Sequence, residues 1–234
     1  MCTRFVYRGS DVITGFNFDI DPAVWDHQIM LEEDRFYIGI LRPDGLRHSY
    51  HGVSRNGNAG TLLYVHGNSN GMYREDAGCV TIADLTEQFI QTELSFDEVL
   101  QIVQTKKIVY APDATMQAML SDRNGRTLIL EPGVGFREDA GRYSLITNYS
   151  LLDPESTRPF IVPGDDRYER AVRLLDSYEN HFTVSDAFSV LSAVRQEGPW
   201  ATRVSFVYSA AEQTVYYVEN NDFEQIKKHR FTQS

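Results

Sequence analysis

Secondary-structure signals in this chain come in blocks: strands, two helices, strands, two helices, strands. Aromatic and β-branched patches fill the first 65 positions and predict strands over Thr3 to Tyr7, Val12 to Phe18, Phe36 to Leu41, Arg47 to His51 and Gly60 to His66. Arg8-Gly9-Ser10-Asp11 and Pro43-Asp44-Gly45 read as hairpin turns, and Val53 to Asn58 as a turn. A short strand is expected at Cys79 to Ile82. Ala83 to Thr92 carries Leu85, Phe89 and Ile90 at helical spacing, and Ser95-Phe96-Asp97-Glu98 is a capping box opening a helix that runs through Lys106. Strands resume at Thr115 to Ser121, Arg126 to Leu130 (joined by Asn124-Gly125) and Tyr143 to Thr147. Helices are expected at Asp165 to Tyr178 and Val184 to Val194, and two last strands at Thr202 to Ser209 and Gln213 to Glu219. Such grouping predicts an α+β fold with antiparallel sheets and helices packed outside, in a single domain spanning 1–234. The pattern alone does not give the number of layers.

Composition narrows the partners. The chain has 33 acidic and 22 basic residues, a net charge of −11 that repels phosphate backbones, so no nucleic-acid partner is expected. No apolar run approaches the ~20 residues of a membrane span, so no membrane partner is expected. The start lacks the basic stretch and apolar run of a signal peptide, which predicts a cytoplasmic chain beginning at residue 1 or 2. Two cysteines, Cys2 and Cys79, are too few for a disulfide framework or a four-thiolate zinc site.

Cys2 stands out chemically. Methionine aminopeptidases remove Met1 when the next side chain is small, as cysteine is. Cys2 would then carry a thiol (pKa ~8.5) and a free α-amine (pKa ~7.7–8.0) on one residue, nucleophile and general base together. The bland reading is an ordinary cysteine ahead of a first strand.

Met1-Cys2-Thr3-Arg4, followed after a hairpin by Gly15-Phe16-Asn17-Phe18-Asp19, resembles the linear amide C–N hydrolases, the family of choloylglycine hydrolases and penicillin V acylases. Gly52 to Tyr64 is similar to the segment ending at that family's oxyanion-hole position, with Tyr64 as in some acylases. Ile146-Thr147-Asn148-Tyr149 resembles its Leu-Thr-Asn segment, and Asp165-Asp166-Arg167-Tyr168 the helix start that carries its arginine. The resemblance implies an N-terminal-nucleophile hydrolase fold, a four-layer αββα sandwich of two antiparallel sheets flanked by helices. It also implies cleavage of a small-molecule N-acyl amide, of penicillin V or N-acyl amino acid type, through a thioester on Cys2, with no metal or organic cofactor.

On that reading Asp19 holds the α-ammonium of Cys2. Asn148 and the Tyr64 backbone N–H stabilise the oxyanion, each donor typically carrying ~2.7–4 kcal/mol of barrier. Arg167 favours the thiolate. The alternatives are a strand-end turn residue at Asp19 and a surface ion-pair cluster of Arg167 with Asp165, Asp166 and Glu169. Phe16 departs from the family, which carries arginine there; a phenyl ring cannot stabilise the sulfur anion, and it is expected to make the pocket floor apolar. Only 18 residues separate Asn148 from Arg167, which argues against an assembly insertion there and leaves a homo-oligomer open. Two other functions stay in view: a binding module with weakened chemistry, and an acyltransferase using the same thioester. A redox or structural thiol protein is the third, with Cys2 close to Cys79.

Remaining signals are weaker. Cys79 reads as a small buried hydrophobe. His48, His51 and His66 lack supporting carboxylates and are expected to be packed or exposed rather than metal-bound. Asp19-Ile20-Asp21-Pro22 lacks the glycine and final Glu of a calcium loop. Gly133-Val134-Gly135 opens no helix and so is no dinucleotide fingerprint, and Lys227 to Arg230 reads as a solvated face.

Overall fold

The structure, a computed structural model, describes residues 2–231. In chain order, β1 (Thr3–Arg8), β2 (Val12–Asp19), β3 (His27–Leu31), β4 (Arg35–Leu41), β5 (Arg47–Ser54) and β6 (Ala59–Tyr64) form the first block. β7 (Cys79–Thr81), α1 (Ile82–Ile90), α2 (Phe96–Thr105) and β8 (Lys107–Val109) follow, then β9 (Met116–Ser121), β10 (Thr127–Glu131), β11 (Gly135–Asp139) and β12 (Tyr143–Ile146). The chain ends with α3 (Pro154–Thr157), α4 (Arg167–Asp176), α5 (Val184–Ala193), β13 (Thr202–Ser209), β14 (Thr214–Glu219) and β15 (Lys227–Arg230).

Two antiparallel sheets result, one ordered β12-β1-β2-β13-β14-β15 and the other β11-β10-β9-β6-β5-β4-β3. β7 and β8 make a small parallel pair, bridged by the α1–α2 crossover that parallel pairing requires. Successive strand residues face opposite sides, and here both sides are buried. Phe16 and Phe206 of the first sheet meet Phe36, Ile38, Leu63 and Met119 of the second in a central core. Their strand neighbours Phe5, Ile13 and Val207 turn outward against Ala171, Leu175 and Leu191 of α4 and α5. Leu62, Leu120 and Leu128 turn outward from the second sheet against Leu85, Phe89 and Val99 of α1 and α2. The layers are therefore helix, sheet, sheet, helix, and the near-continuous apolar strands follow from double-sided burial. Each such Leu or Phe contributes ~1.5–3 kcal/mol on burial. Among the described residues no helix is long and apolar enough to cross a membrane.

Five elements differ from expectation. β3, β8, β11, β15 and α3 carry no clear alternation or period; β3, β11 and β15 are edge strands, and β11 and β15 are rich in charged side chains, the composition that keeps edges from pairing further. The Lys227–Arg230 run is thus an exposed strand paired to β14, and three strands, not two, close the chain. Asn124-Gly125 does turn a hairpin, but only Gly125 has positive φ, at 80°, and its N–H bonds the Asp122 carbonyl at 3.0 Å. That is a type I turn followed by a left-handed glycine, repeated at Gly45, whose N–H bonds the Arg42 carbonyl.

Candidate active site

Cys2 sits one residue ahead of β1 and inherits its pairing. Arg4 lies opposite Ile146 and Thr3 opposite Asn17, so continuing the register sets Cys2 beside Asn148 on one flank and Phe18 on the other. Thr202 of β13 pairs with Asp19, and Arg167 is the first residue of α4. Four distant stretches thereby converge on one sheet end.

The Cys2 nitrogen donates to Asn148 Oδ1 at 2.5 Å, and its thiol leans on the Asp19 carbonyl at 3.9 Å. Arg167 Nη1 donates to the Cys2 carbonyl at 3.0 Å and approaches Asp19 Oδ2 at 3.5 Å; its Nη2 reaches Asn148 Oδ1 at 3.3 Å. Asp165 grips the same guanidinium twice, at 2.8 and 2.7 Å. That bidentate pairing fixes the plane of the guanidinium as well as its position. Arg167 is only 5% exposed, so the surface-cluster alternative does not describe it. The Asp19 carboxylate accepts from Thr202 Oγ1 at 2.6 Å and Gln196 Nε2 at 2.8 Å.

Asn148 is held from three directions. Its Nδ2 donates to the Tyr64 carbonyl at 2.8 Å. Gln117, fully buried on β9, donates Nε2 to the carbonyls on either side of it, Thr147 at 2.9 Å and Tyr149 at 3.0 Å. A carboxamide has two N–H donors, so one of Asn148 stays beyond the bond to Tyr64. Val65 N–H bonds Thr115 across to β9 at 3.2 Å, so antiparallel alternation turns the N–H and carbonyl of Tyr64 the other way, toward Asn148. The Tyr64 side chain is exposed; its backbone is what faces the site.

Burial dominates the electrostatics. It pushes the Cys2 thiol up to about 11, with the Asp19 carboxylate adding to the rise and Arg167 opposing it. It pushes Asp19 up to about 6 against the pull of Thr202, Arg167 and Gln196. Burial pulls Arg167 down, but its bonds to Asp165 and the charge of Asp19 outweigh that and hold it above its ordinary value.

Cys2, Asp19, Tyr64 and Asn148 open onto a cavity of about 760 Å³. Its walls are Phe18, Ile20, Trp25, Ile40, Leu62 and Met116, and exposed Val24, Met72, Tyr73, Val162 and Trp200 rim it. Phe16 is not among the lining residues: it is fully buried behind them, stacked on His51 at 5.4 Å between ring centroids. The apolar wall expected of Phe16 is supplied by Phe18, its neighbour on the same strand face. Met1, whose removal is expected, lies outside the described residues. Both cysteines are free thiols, and Cys79 is only partly buried, on β7. Among the described residues no group of three His, Cys, Asp or Glu is gathered for a metal ion. His48 lies between Asp44 and Glu87, His66 stacks on Phe160, and His51 lines the cavity. Sequence reasoning missed Gln117, Thr202, Gln196 and His51; Asp165, placed in a surface cluster, is instead the guanidinium's main partner.

No family model and no curated protein sequence matches the chain. Solved structures do. A cysteine-to-alanine mutant of conjugated bile acid hydrolase from Clostridium perfringens superposes with a TM-score of 0.73 at 14% identity, covering 98% of this chain and 92% of that one. Penicillin V acylase from Agrobacterium tumefaciens gives 0.61 at 16% identity, covering 97% and 90%. A Caenorhabditis elegans ortholog of N-acylethanolamine-hydrolyzing acid amidase gives 0.61 at 13%, covering 89% and 93%. The chain has the N-terminal-nucleophile hydrolase fold, with the four layers that the resemblance implies.

Proposed function

We propose that the chain is a cysteine N-terminal-nucleophile hydrolase of linear N-acyl amides. The observation that carries this is Cys2 itself: it lines a largely apolar cavity while its nitrogen lies 2.5 Å from Asn148 Oδ1 and its carbonyl is held by Arg167, which in turn pairs with Asp19. Once Met1 is removed that nitrogen is an amine, and it takes the proton of the thiol. Sulfur attacks the amide carbonyl, whose oxygen becomes anionic between the Tyr64 N–H and the second N–H of Asn148. The carbon–nitrogen bond breaks, the leaving amine takes the proton, and a thioester to Cys2 remains. Water then attacks the thioester, releasing a carboxylic acid and restoring the thiol. The fold shared with three amide hydrolases supports the reading, and the cavity suits an apolar acyl group of penicillin V or N-acyl amino acid type.

Intact mass after incubation with phenoxyacetyl and long-chain N-acyl amides tests it. The expected result is a chain lacking Met1 that gains one acyl mass on Cys2, with turnover abolished in Cys2→Ala. Turnover by Cys2→Ala, or Met1 retained on an active chain, overturns it.

A second reading, a binding module with weakened chemistry, is favoured by the thiol raised to about 11 and by Phe16 in place of a cation. It predicts that the amides bind with no acyl adduct formed.

A further inference from the structure

The seven-stranded sheet is split at the cavity. β5 and β6 pair only through His51–Val53 and Ala59–Thr61, although β5 begins at Arg47 and β6 runs to Tyr64. Past Thr61 the strands part, and the cavity enters between them, lined by Tyr50 and His51 on one side and Leu62 and Tyr64 on the other.

The fork has its own chemistry. Continuing the register would give the Leu62 N–H to the Tyr50 carbonyl; instead it donates to His51 Nδ1 at 3.2 Å. An Nδ1 that accepts carries no proton, so a neutral ring holds its proton on Nε2. Burial alone pushes this imidazole down to about 3, so the ring stays neutral in that tautomer at any working pH. His51 is 6% exposed, wedged against Phe16 at 5.4 Å and Phe18 at 5.0 Å between centroids. Among the described residues no hydrogen bond reaches Nε2, and the residue lines the cavity. The cavity leaves that N–H open to solvent; a ligand that excludes water there without an acceptor would strand the donor, and a ligand that brings an acceptor keeps it paired.

We propose that His51 is a specificity-determining residue whose Nε2–H recognises an uncharged acceptor oxygen, ether or ketone, set into an otherwise apolar acyl chain. This rests on the amide-hydrolase reading above. The oxygen is uncharged because the ring is neutral and the cavity's carboxylates, Asp19 and Asp113, repel an anion. The cavity's cation, Arg42, is already paired to Asp113 at 2.5 Å and laid over Trp25. The oxygen is on the acyl side because the cavity's lining is mainly apolar, which suits a chain and not a polar leaving amine.

The test uses a matched pair of anilides, phenoxyacetyl-p-nitroanilide and 3-phenylpropanoyl-p-nitroanilide, which differ only by oxygen for methylene. The processed wild type is expected to favour the ether in kcat/KM by about tenfold or more. His51→Asn keeps an acceptor for Leu62 but loses the reach of Nε2, and His51→Phe keeps the ring alone; either should lower the ratio by about tenfold, to the residual preference that the more electrophilic aryloxyacetyl carbonyl has by itself. The ratio is the readout, so a general loss of activity does not mimic the effect. A wild type that does not discriminate, or a ratio unchanged from wild type in both variants, overturns the proposal. If neither anilide is turned over, the hydrolase reading fails on these substrates, and calorimetric binding to Cys2→Ala decides His51 separately. An ether preference there, lost in Cys2→Ala/His51→Asn, upholds recognition; equal binding, or none, overturns it. Should the variants not fold, the wild-type ratio and the Cys2→Ala affinities still decide.

Discussion

Two arginines are buried among the described residues, and their surroundings are opposite. Arg167, at the head of α4, has two carboxylates on its guanidinium and lies against the backbone of Cys2. Arg4, two residues past Cys2 and fully buried, has none. Its Nη1 donates to the Phe5 carbonyl at 2.5 Å and its Nη2 to Ser121 Oγ at 3.0 Å, while Nε finds no partner. Burial pulls Arg4 down to about 9, with the charge of Arg8 adding to the effect, whereas Arg167 is held above its ordinary value. A buried charge is costly unless it is paired and hydrogen-bonded. The chain meets that requirement where sulfur chemistry is proposed and leaves it half met where the side chain only fills the space between sheets. Pairing thus marks which buried arginine is held for use.

The contrast breaks if removing Arg167 is harmless. Arg167→Gln leaves Asp165 and Asp19 without their cation, and unfolding by denaturant should show a loss of ~3–5 kcal/mol, the usual cost of stripping one partner from a buried pair. Hydrolysis should vanish with it. A variant as stable and active as wild type would make both arginines packing residues.

Asp19 sharpens the contrast through pH. Its carboxyl rises to about 6 in the folded chain, against ~3.9 unfolded. A raised carboxyl contributes stability that is full below the unfolded value and is lost as pH rises through the folded one. Relative to Asp19→Asn, wild type should therefore lose ~3 kcal/mol between about pH 4 and pH 6. Activity should run the other way, with kcat/KM falling below about pH 6 as the carboxylate beside Arg167 is neutralised. Thermal melts and pH–rate profiles on the same pair of proteins check both signs. A third, smaller effect concerns position alone. Gln117→Met removes both donors flanking Asn148, and a displacement of ~1 Å there should lower kcat by ~100-fold with KM little changed. Equal losses in kcat and stability would reduce Gln117 to a packing residue.

What could be read before folding was local. The capping box at Ser95 is a four-residue signal, and α2 begins one residue after it as read. Cys2, Asp19, Asn148 and Arg167 carry their meaning in residue type and order, and the fold draws them together at one sheet end. Gln117 and His51 could not be read that way. Neither stands out within its own strand, and what distinguishes each is a neighbour elsewhere in the fold: the two carbonyls around Asn148, or the Leu62 N–H where β5 and β6 part. Phe16 shows the same limit from the other side. Alternation correctly sets it on the face of Phe18, but depth along a strand is not in the pattern, and only Phe18 reaches the cavity. Edge strands such as β11 and β15 escape because their charged residues serve solubility, not a core.

Arg4 carries the smallest expected effect, and the one most able to correct the comparison. Arg4→Met keeps the length and flexibility of the side chain and removes the charge. It gives up the bonds to Phe5 and Ser121, each worth ~0.5–1.5 kcal/mol net, and it relieves a buried cation that no carboxylate balances. Replacing buried charge with apolar volume is commonly neutral or stabilising by ~1–4 kcal/mol. The variant should therefore melt at the wild-type temperature or a few degrees above it, at ~2–4 °C per kcal/mol for a chain of this size. The pH dependence has a fixed sign. The folded guanidinium titrates at about 9, below its unfolded value, so its penalty is full under pH 9 and eases as pH rises past it. Any advantage of Arg4→Met should consequently shrink in alkaline buffer. A variant destabilised by more than ~2 kcal/mol at neutral pH would mean the two backbone and hydroxyl bonds outweigh the lone charge, and the absence of a carboxylate would no longer separate the two arginines.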